Sequence, residues 1–154
     1  MNVKSVLCVC TGNICRSPYA EGLLRRDLPG VNVSSAGIGA VVGGEMPEAA
    51  ANIAIRQRLD LQDHRGRQIT SQILREHELV LVMEEGQKNW LADRFPESRG
   101  RVFLVSHWDD KKDVPDPFRH SEEFFEEVFV ALAEYVSDWA AKLAPRSPSR
   151  TAVR

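Results

Sequence analysis

No cysteine follows residue 15 in this chain of 154 residues, and the three it has, Cys8, Cys10 and Cys15, are crowded near the start. A disulfide-framed secreted domain spreads and pairs its cysteines, so that class is excluded. Structural zinc normally takes four ligands in paired short spacings, and no Cys or His lies close enough in sequence to complete a set with these three. The chain also lacks an excess of positive charge. Its formal net charge of −2 argues against a dedicated nucleic-acid binder, which needs a basic face to meet phosphates. It has no apolar run approaching the ~20 residues that cross a bilayer. Met1-Asn2-Val3-Lys4 leads straight into a strand-like segment without the apolar length of a signal peptide, so a cytoplasmic location and no membrane insertion are expected.

What is present reads as one domain, 1–144, followed by a disordered basic tail, 145–154, rich in Arg, Ser and Pro. Strand-like and helix-like patterns alternate, which predicts an α/β fold with a parallel sheet. Strands are expected over 5–9, 31–35, 79–83 and 101–105. Helices are expected from Ser17 to a stop at Pro29-Gly30, from Met46 to about Leu59, over 85–94, and over the last long segment. There Phe125, Val128, Phe129, Leu132, Val136, Trp139 and Leu143 advance by three or four residues, the spacing of one helical face. The glycine-rich stretch 37–45 reads as a mobile loop.

The chemistry concentrates in Cys10-Thr11-Gly12-Asn13-Ile14-Cys15-Arg16-Ser17-Pro18. An apolar strand enters it and a Ser-Pro helix start leaves it. A phosphate needs several N–H donors converging on one point with positive potential behind them, and a helix N-terminus supplies both. Gly12 permits the unusual backbone angles that turn successive N–H groups inward. Asn13 is the residue after glycine best suited to the left-handed region. The planar fork of Arg16 matches two phosphate oxygens, a geometry lysine lacks. Thr11, Ile14 and Cys15 complete the loop. A helix N-terminus and a nearby cation favour the thiolate form of a cysteine, so Cys10 is read as the nucleophile. Ser17 is read as its hydrogen-bond donor. Attack on a phosphate ester also needs an acid for the leaving group. Asp116, in Val114-Pro115-Asp116-Pro117-Phe118, is the candidate, with Asp109, Asp110 and Asp113 as solvated neighbours.

Together these residues resemble the low-molecular-weight protein tyrosine phosphatases over about residues 3–144. The likeness rests on Val9 through Pro18 with Ala20-Glu21, on Ser35-Ala36-Gly37, on Gly66-Arg67-Gln68-Ile69 preceded by His64, and on Asp116-Pro117. Ser35 through Ala40 and His107-Trp108-Asp109 bring it nearest to the bacterial branch that acts with exopolysaccharide tyrosine kinases. The resemblance implies a three-layer sandwich, with a four-stranded parallel sheet between helices and the phosphate loop joining the first strand to the first helix. It implies a reaction without cofactor or metal. Cys10 attacks phosphotyrosine, Arg16 and the loop stabilise the oxygens, Asp116 protonates the phenolate, and a phosphocysteine is then hydrolysed. It also implies that Asn13, Ser35 and His64 hold the loop in shape, although His64 reads equally well as a structural core histidine. The implied partner is a phosphotyrosine protein, a bacterial tyrosine autokinase.

Two positions depart from that pattern. Eukaryotic members place an aromatic in the 37–45 loop to wall the substrate ring, where this chain has Ile38, Val41 and Val42. Many members have tyrosine where Phe118 stands, which here loses the hydroxyl and keeps the ring. Rival functions are weaker. Arsenate reduction needs further cysteines to pass on a disulfide. Arginine-phosphate hydrolysis goes with a smaller polar residue at the position of Ile14. A phosphotyrosine-binding module has no use for a complete Cys10, Arg16 and Asp116 set, and a phosphocysteine carrier does not need Arg16. Oxidation joining Cys10 to Cys15, or simple packing of Cys15 beneath the loop, both suit the spacing.

Overall fold

Strand β1, Ser5–Cys10, is buried along its whole length, and its alternation decides the layering. Val6, Cys8 and Cys10 point into one apolar cluster, while Leu7 and Val9 point into another on the opposite face. A computed structural model describes residues 2–145. In it four parallel strands, β1, β2 (Asn32–Gly37), β3 (Leu79–Val82) and β4 (Val102–Leu104), lie in the order β2-β1-β3-β4. The first face is covered by α1 (Arg16–Asp27), α2 (Glu48–Arg56) and α5 (Glu122–Leu143). The second is covered by α3 (Ser71–Arg75) and α4 (Glu85–Arg94). This is the expected three-layer α/β sandwich.

The chain leaves β1 toward β2 on one side, then crosses β1 to reach β3 on the other. The strand order therefore reverses at the carboxyl end of β1, the place where open parallel sheets bind ligands. The loop of residues 11–15 sits there.

Helix α5 buries Phe125, Val128, Phe129, Leu132, Val136, Trp139 and Leu143, the apolar stripe read from the sequence, and adds Tyr135. Ser121 caps it by accepting the Phe124 N–H at 3.2 Å. Phe129 stacks on Tyr19 of α1 at a centroid separation of 4.2 Å, which ties the helix bearing Arg16 to the core.

Two elements escape the sequence reading. One is α3, a single turn capped by Thr70. The other is a 3₁₀ stretch, Pro96–Arg101, leading into β4. Each is too short to show a helical period. The alanine-rich helix stops at Arg56 and does not reach Leu59, because Arg58 adopts φ +60 and turns the chain away. The expected basic tail falls, from residue 146 onward, outside the described residues.

Candidate active site

The loop after β1 wraps around the sulfur of Cys10. The Asn13 N–H points at Cys10 Sγ at 3.2 Å, and the Ser17 hydroxyl lies 2.9 Å from it. Asn13 takes φ +58, the left-handed geometry expected of it. Gly12 does not use the positive φ open to it. Asn13 alone makes the left-handed turn. A Cβ on Gly12 would meet Ile14 and Val41 at an ordinary 3.6 Å.

The glycines that matter sterically lie outside the loop. A Cβ on Gly37, at the end of β2, would collide with the Thr11 carbonyl oxygen. One on Gly66 would collide with the Val41 carbonyl oxygen. These close approaches allow a ladder of backbone bonds. Gly39 N–H donates to Thr11 O (3.0 Å), Val41 N–H to Gly12 O (2.9 Å), Gly43 N–H to Gly66 O (2.9 Å) and Gly66 N–H to Gly44 O (2.9 Å). The stretch 37–45, read as mobile, is thus stitched to the phosphate loop on one side and to residue 66 on the other.

A cavity of about 200 Å³ opens over Cys10, lined by residues 10–16 together with Gly39, Val41, Asp116 and Phe118. Of the three residues expected to wall it, Val41 and Phe118 do so. Ile38 does not. It points instead into the apolar cluster on the α4 face of the sheet, because strand alternation continues past Gly37 and turns residue 38 away from the cavity. Gly39 takes the place assigned to it.

Behind the loop, Asn13 is the centre of a buried network. Its side-chain amide donates to Ser17 Oγ (2.8 Å) and Ser35 Oγ (2.9 Å), and its side-chain oxygen accepts the Arg67 N–H (2.9 Å). His64 Nε2 meets the Asn13 carbonyl at 2.6 Å. Asn13, Ser35 and His64, the residues the resemblance grouped, therefore lie together, and Ser17 is bonded to the same amide. Glu21 and Arg67 join them without having been assigned roles. Ser35 donates to Glu21 Oε1 at 2.5 Å, and Arg67 Nε donates to the Ser35 carbonyl at 2.7 Å.

Arg16 is 2% exposed. One of its terminal nitrogens, Nη1, is held by the Glu84 carboxylate and by the Val114 carbonyl at 2.8 Å. The other, Nη2, lies 3.9 Å from Asp116 Oδ2. Two acceptors thus fix Nη1, while Arg16 lines the cavity beside Asp116. Glu84 was missed in the sequence because its partner is far away along the chain. It is the N-cap of α4, in a reciprocal capping box with Gln87, whose side-chain nitrogen reaches Thr11 Oγ1 at 3.2 Å. The signal that could have found it is the Glu-x-x-Gln capping pattern directly after a buried strand that ends beside the loop.

Asp116 stands at the cavity rim with its side chain 52% exposed, and its Oδ1 accepts the Phe118 N–H at 3.0 Å. The segment carrying it is anchored. Val114 N–H donates to Met83 O (2.9 Å), Asp113 accepts the Glu85 N–H (2.9 Å) and Ser106 Oγ donates to Lys112 O (2.7 Å). Asp110, read as merely solvated, accepts the Lys112 N–H and the Tyr135 hydroxyl. Those bonds, the backbone one first, hold its carboxyl below the usual carboxylate range. Burial and that same carboxylate push the Tyr135 phenol up to about 12.

The other two cysteines are set apart from Cys10. Burial, helped by repulsion from Cys10 and Asp116, pushes the Cys15 thiol up to about 12. Burial, with Glu21 nearby, also raises Cys8 well above the ordinary range. All three are free thiols. Among the described residues no group of His, Cys, Asp and Glu is arranged to hold a metal ion, and no helix is long and apolar enough to cross a membrane.

Comparison with known proteins agrees with this geometry. The family model described as Low molecular weight phosphotyrosine protein phosphatase matches residues 5–148. The low molecular weight protein-tyrosine-phosphatase Wzb of Salmonella typhimurium is 45% identical over 140 residues, covering 91% of this chain and 94% of that protein. The tyrosine phosphatase Wzb from Escherichia coli K30, solved in complex with sulphate, superposes with a TM-score of 0.89 at 44% identity. That match covers 92% of this chain and 99% of the other. The arginine phosphatase YwlE from Geobacillus stearothermophilus superposes with a TM-score of 0.85 at 33% identity, covering 90% and 92%.

Proposed function

The chain belongs to the low molecular weight phosphotyrosine protein phosphatase family, and from that membership and the cavity over Cys10 we propose that it hydrolyses phosphotyrosine in proteins through a phosphocysteine intermediate. The observation that carries this reading is the convergence on one small cavity of a sulfur, a buried guanidinium and a rim carboxylate.

The steps follow from the positions. The phosphoryl oxygens are bound by the loop N–H groups and the guanidinium of Arg16. Cys10 Sγ attacks the phosphorus in line, and the bond to the phenolic oxygen breaks. Asp116 gives its proton to that oxygen, so tyrosine leaves neutral. The phosphocysteine is then cleaved by a water whose proton passes to Asp116, and the Cys10 thiolate departs with a hydrogen bond from Ser17. Val41 and Phe118 flank the ring, and Ile14 narrows the floor toward a flat aryl group.

The partner this suggests is an autophosphorylated bacterial tyrosine kinase of exopolysaccharide synthesis or export, met in the cytoplasm. Turnover of phosphotyrosine, phosphoserine and phosphoarginine peptides by the purified chain tests the substrate class. Phosphotyrosine is expected to lead by at least about 100-fold in kcat/KM, the discrimination of a pocket shaped for one leaving group. A lead for phosphoarginine would overturn the reading and put the chain beside the arginine phosphatases it also resembles.

Glu84 supplies a second test. Glu84→Gln keeps a side-chain oxygen for the α4 cap but removes the charge opposing Arg16. The guanidinium is then expected to lose its fixed aim and to shift toward Asp116 at the rim. A misplacement of about 1 Å costs on the order of 10²-fold in rate, so kcat/KM for p-nitrophenyl phosphate should fall about 10- to 100-fold with the circular dichroism spectrum unchanged. Unaltered kinetics would show that Val114 alone aims Arg16.

A further inference from the structure

The hydrogen bonds behind the loop have a direction, and the far end of the chain they form is Glu21. The Asn13 amide cannot be turned over, because its oxygen accepts the Arg67 N–H at 2.9 Å. Its nitrogen is therefore the donor to both serines, at 2.8 Å to Ser17 and 2.9 Å to Ser35. Each serine oxygen receives a hydrogen and has one of its own to give. Ser35 gives its hydrogen to Glu21, an acceptor only, at 2.5 Å. Ser17 gives its hydrogen to Cys10 Sγ, 2.9 Å away. Asn13 and Ser17 are fully buried and Ser35 nearly so, so water does not compete for these bonds.

We propose that Glu21 is a positioning residue for Cys10: by taking the Ser35 hydrogen, it anchors the Ser35 end of the Ser35–Asn13–Ser17 chain, whose polarity Arg67 sets at Asn13, and so helps hold Asn13 and the Ser17 hydroxyl in place against the Cys10 sulfur. Arg25 holds Glu21 in place, with Nη2 at 2.9 Å from Oε2 on the next turn of α1. Without the carboxylate, the Ser35 hydroxyl has no fixed acceptor, Asn13 loses one of its two anchored partners, and the donor to sulfur loosens two residues away. Bonds in such chains polarise one another, so the loss is transmitted.

Charge alone predicts the opposite sign. A carboxylate near a thiolate disfavours it, so deleting Glu21 should ease ionisation of Cys10 if Coulomb forces ruled. The other charges facing the chain are Arg16 and Arg25 from α1, Asp60, Asp63, His64, Arg65 and Arg67 from the loop behind it, Glu84 behind Arg16, and Asp116 at the rim. The neutral thiols of Cys8 and Cys15 lie beside it. None of these changes in a Glu21 variant except Arg25, whose positive charge is no longer offset by its partner. That also favours the thiolate, so both electrostatic terms oppose the expected direction.

The inference rests on Cys10 being the nucleophile, and the experiment separates the two. Iodoacetamide alkylation of the intact protein is followed against pH, with and without phosphate, in wild type, Glu21→Ala, Glu21→Gln, Ser17→Ala and the Glu21→Ala/Ser17→Ala double variant. Phosphate-protected alkylation at Cys10 in wild type is required by the nucleophile reading, and its absence would sink that reading by itself. Given it, the Glu21→Ala profile is expected to move to higher pH by roughly half to one unit, a three- to tenfold slower reaction on its acid limb. Glu21→Gln, whose amide oxygen still accepts from Ser35, should restore most of the wild-type profile. Glu21→Ala should add nothing once Ser17 is alanine. A profile unmoved or shifted to lower pH in Glu21→Ala, or an equal shift in the Ser17→Ala background, would overturn the proposal.

Discussion

Cys10→Ser is expected to abolish turnover of phosphotyrosine peptides, by at least about 10⁴-fold in kcat, while inorganic phosphate still binds. The hydroxyl is a far weaker acid than the thiol. It has no base beside it, because the groups nearest Cys10 Sγ, the Asn13 N–H and the Ser17 hydroxyl, are donors. Donors can stabilise an anion but cannot remove a proton. The binding elements, Arg16 and the loop N–H groups, do not depend on the sulfur, so phosphate binding by calorimetry should stay within a few-fold of wild type. Neither remaining cysteine can take over. Cys15 is buried with its thiol pushed up to about 12, so it stays protonated and unreactive at any assay pH near neutral. Cys8 points into the core cluster beneath α1. Residual activity within tenfold of wild type would refute a mechanism through Cys10.

That expectation was readable before any coordinates, since residues 10–18 carry strand end, loop and helix start in one contiguous stretch. Local chemistry of this kind leaves its mark in sequence. The sheet and α5 were legible for a related reason, because burial of both faces makes β1 a continuous apolar run and burial of one face gives 122–143 a helical period. Contacts made at long range leave no such mark. Glu84 pairs with Arg16 across 68 positions and looks in the sequence like an ordinary helix cap. Ile38 sits next to pocket residues, yet a single step of strand alternation carries it to the opposite face, and sequence proximity alone pointed the wrong way. Which of the two neighbours Gly12 and Asn13 makes the left-handed turn was open for a different reason. Composition says which residues tolerate a conformation, and it does not say which of two neighbours uses it. The collisions that make Gly37 and Gly66 indispensable arise between segments the chain brings together only on folding.

Asp116→Ala is expected to have the second-largest effect, and its pattern across substrates matters more than its size. General acid catalysis contributes about 10²- to 10⁴-fold, and the gain grows with the basicity of the leaving oxygen. Tyrosine, with a pKa of about 10, is a poor leaving group as the anion. For phosphotyrosine the variant should lose about 10²- to 10³-fold in kcat. For p-nitrophenyl phosphate, whose phenol is much more acidic, the loss in the first step should be several-fold smaller. Asp116 also stands 3.9 Å from Arg16 Nη2, and a purely positional role would act through that contact. The two roles separate cleanly. Loss of a proton donor depends on the leaving group and leaves phosphate inhibition intact or slightly tighter, since a carboxylate competing for Arg16 has gone. Loss of an Arg16 contact weakens phosphate inhibition and slows both substrates alike. Burst kinetics with p-nitrophenyl phosphate add a further distinction, because in the proposed mechanism water attack on the phosphocysteine also needs the Asp116 carboxylate as base. Release of the first equivalent of nitrophenol should outpace the later turnovers in the variant. Equal losses on the two substrates, with no burst and weaker phosphate inhibition, would reduce Asp116 to a support for Arg16.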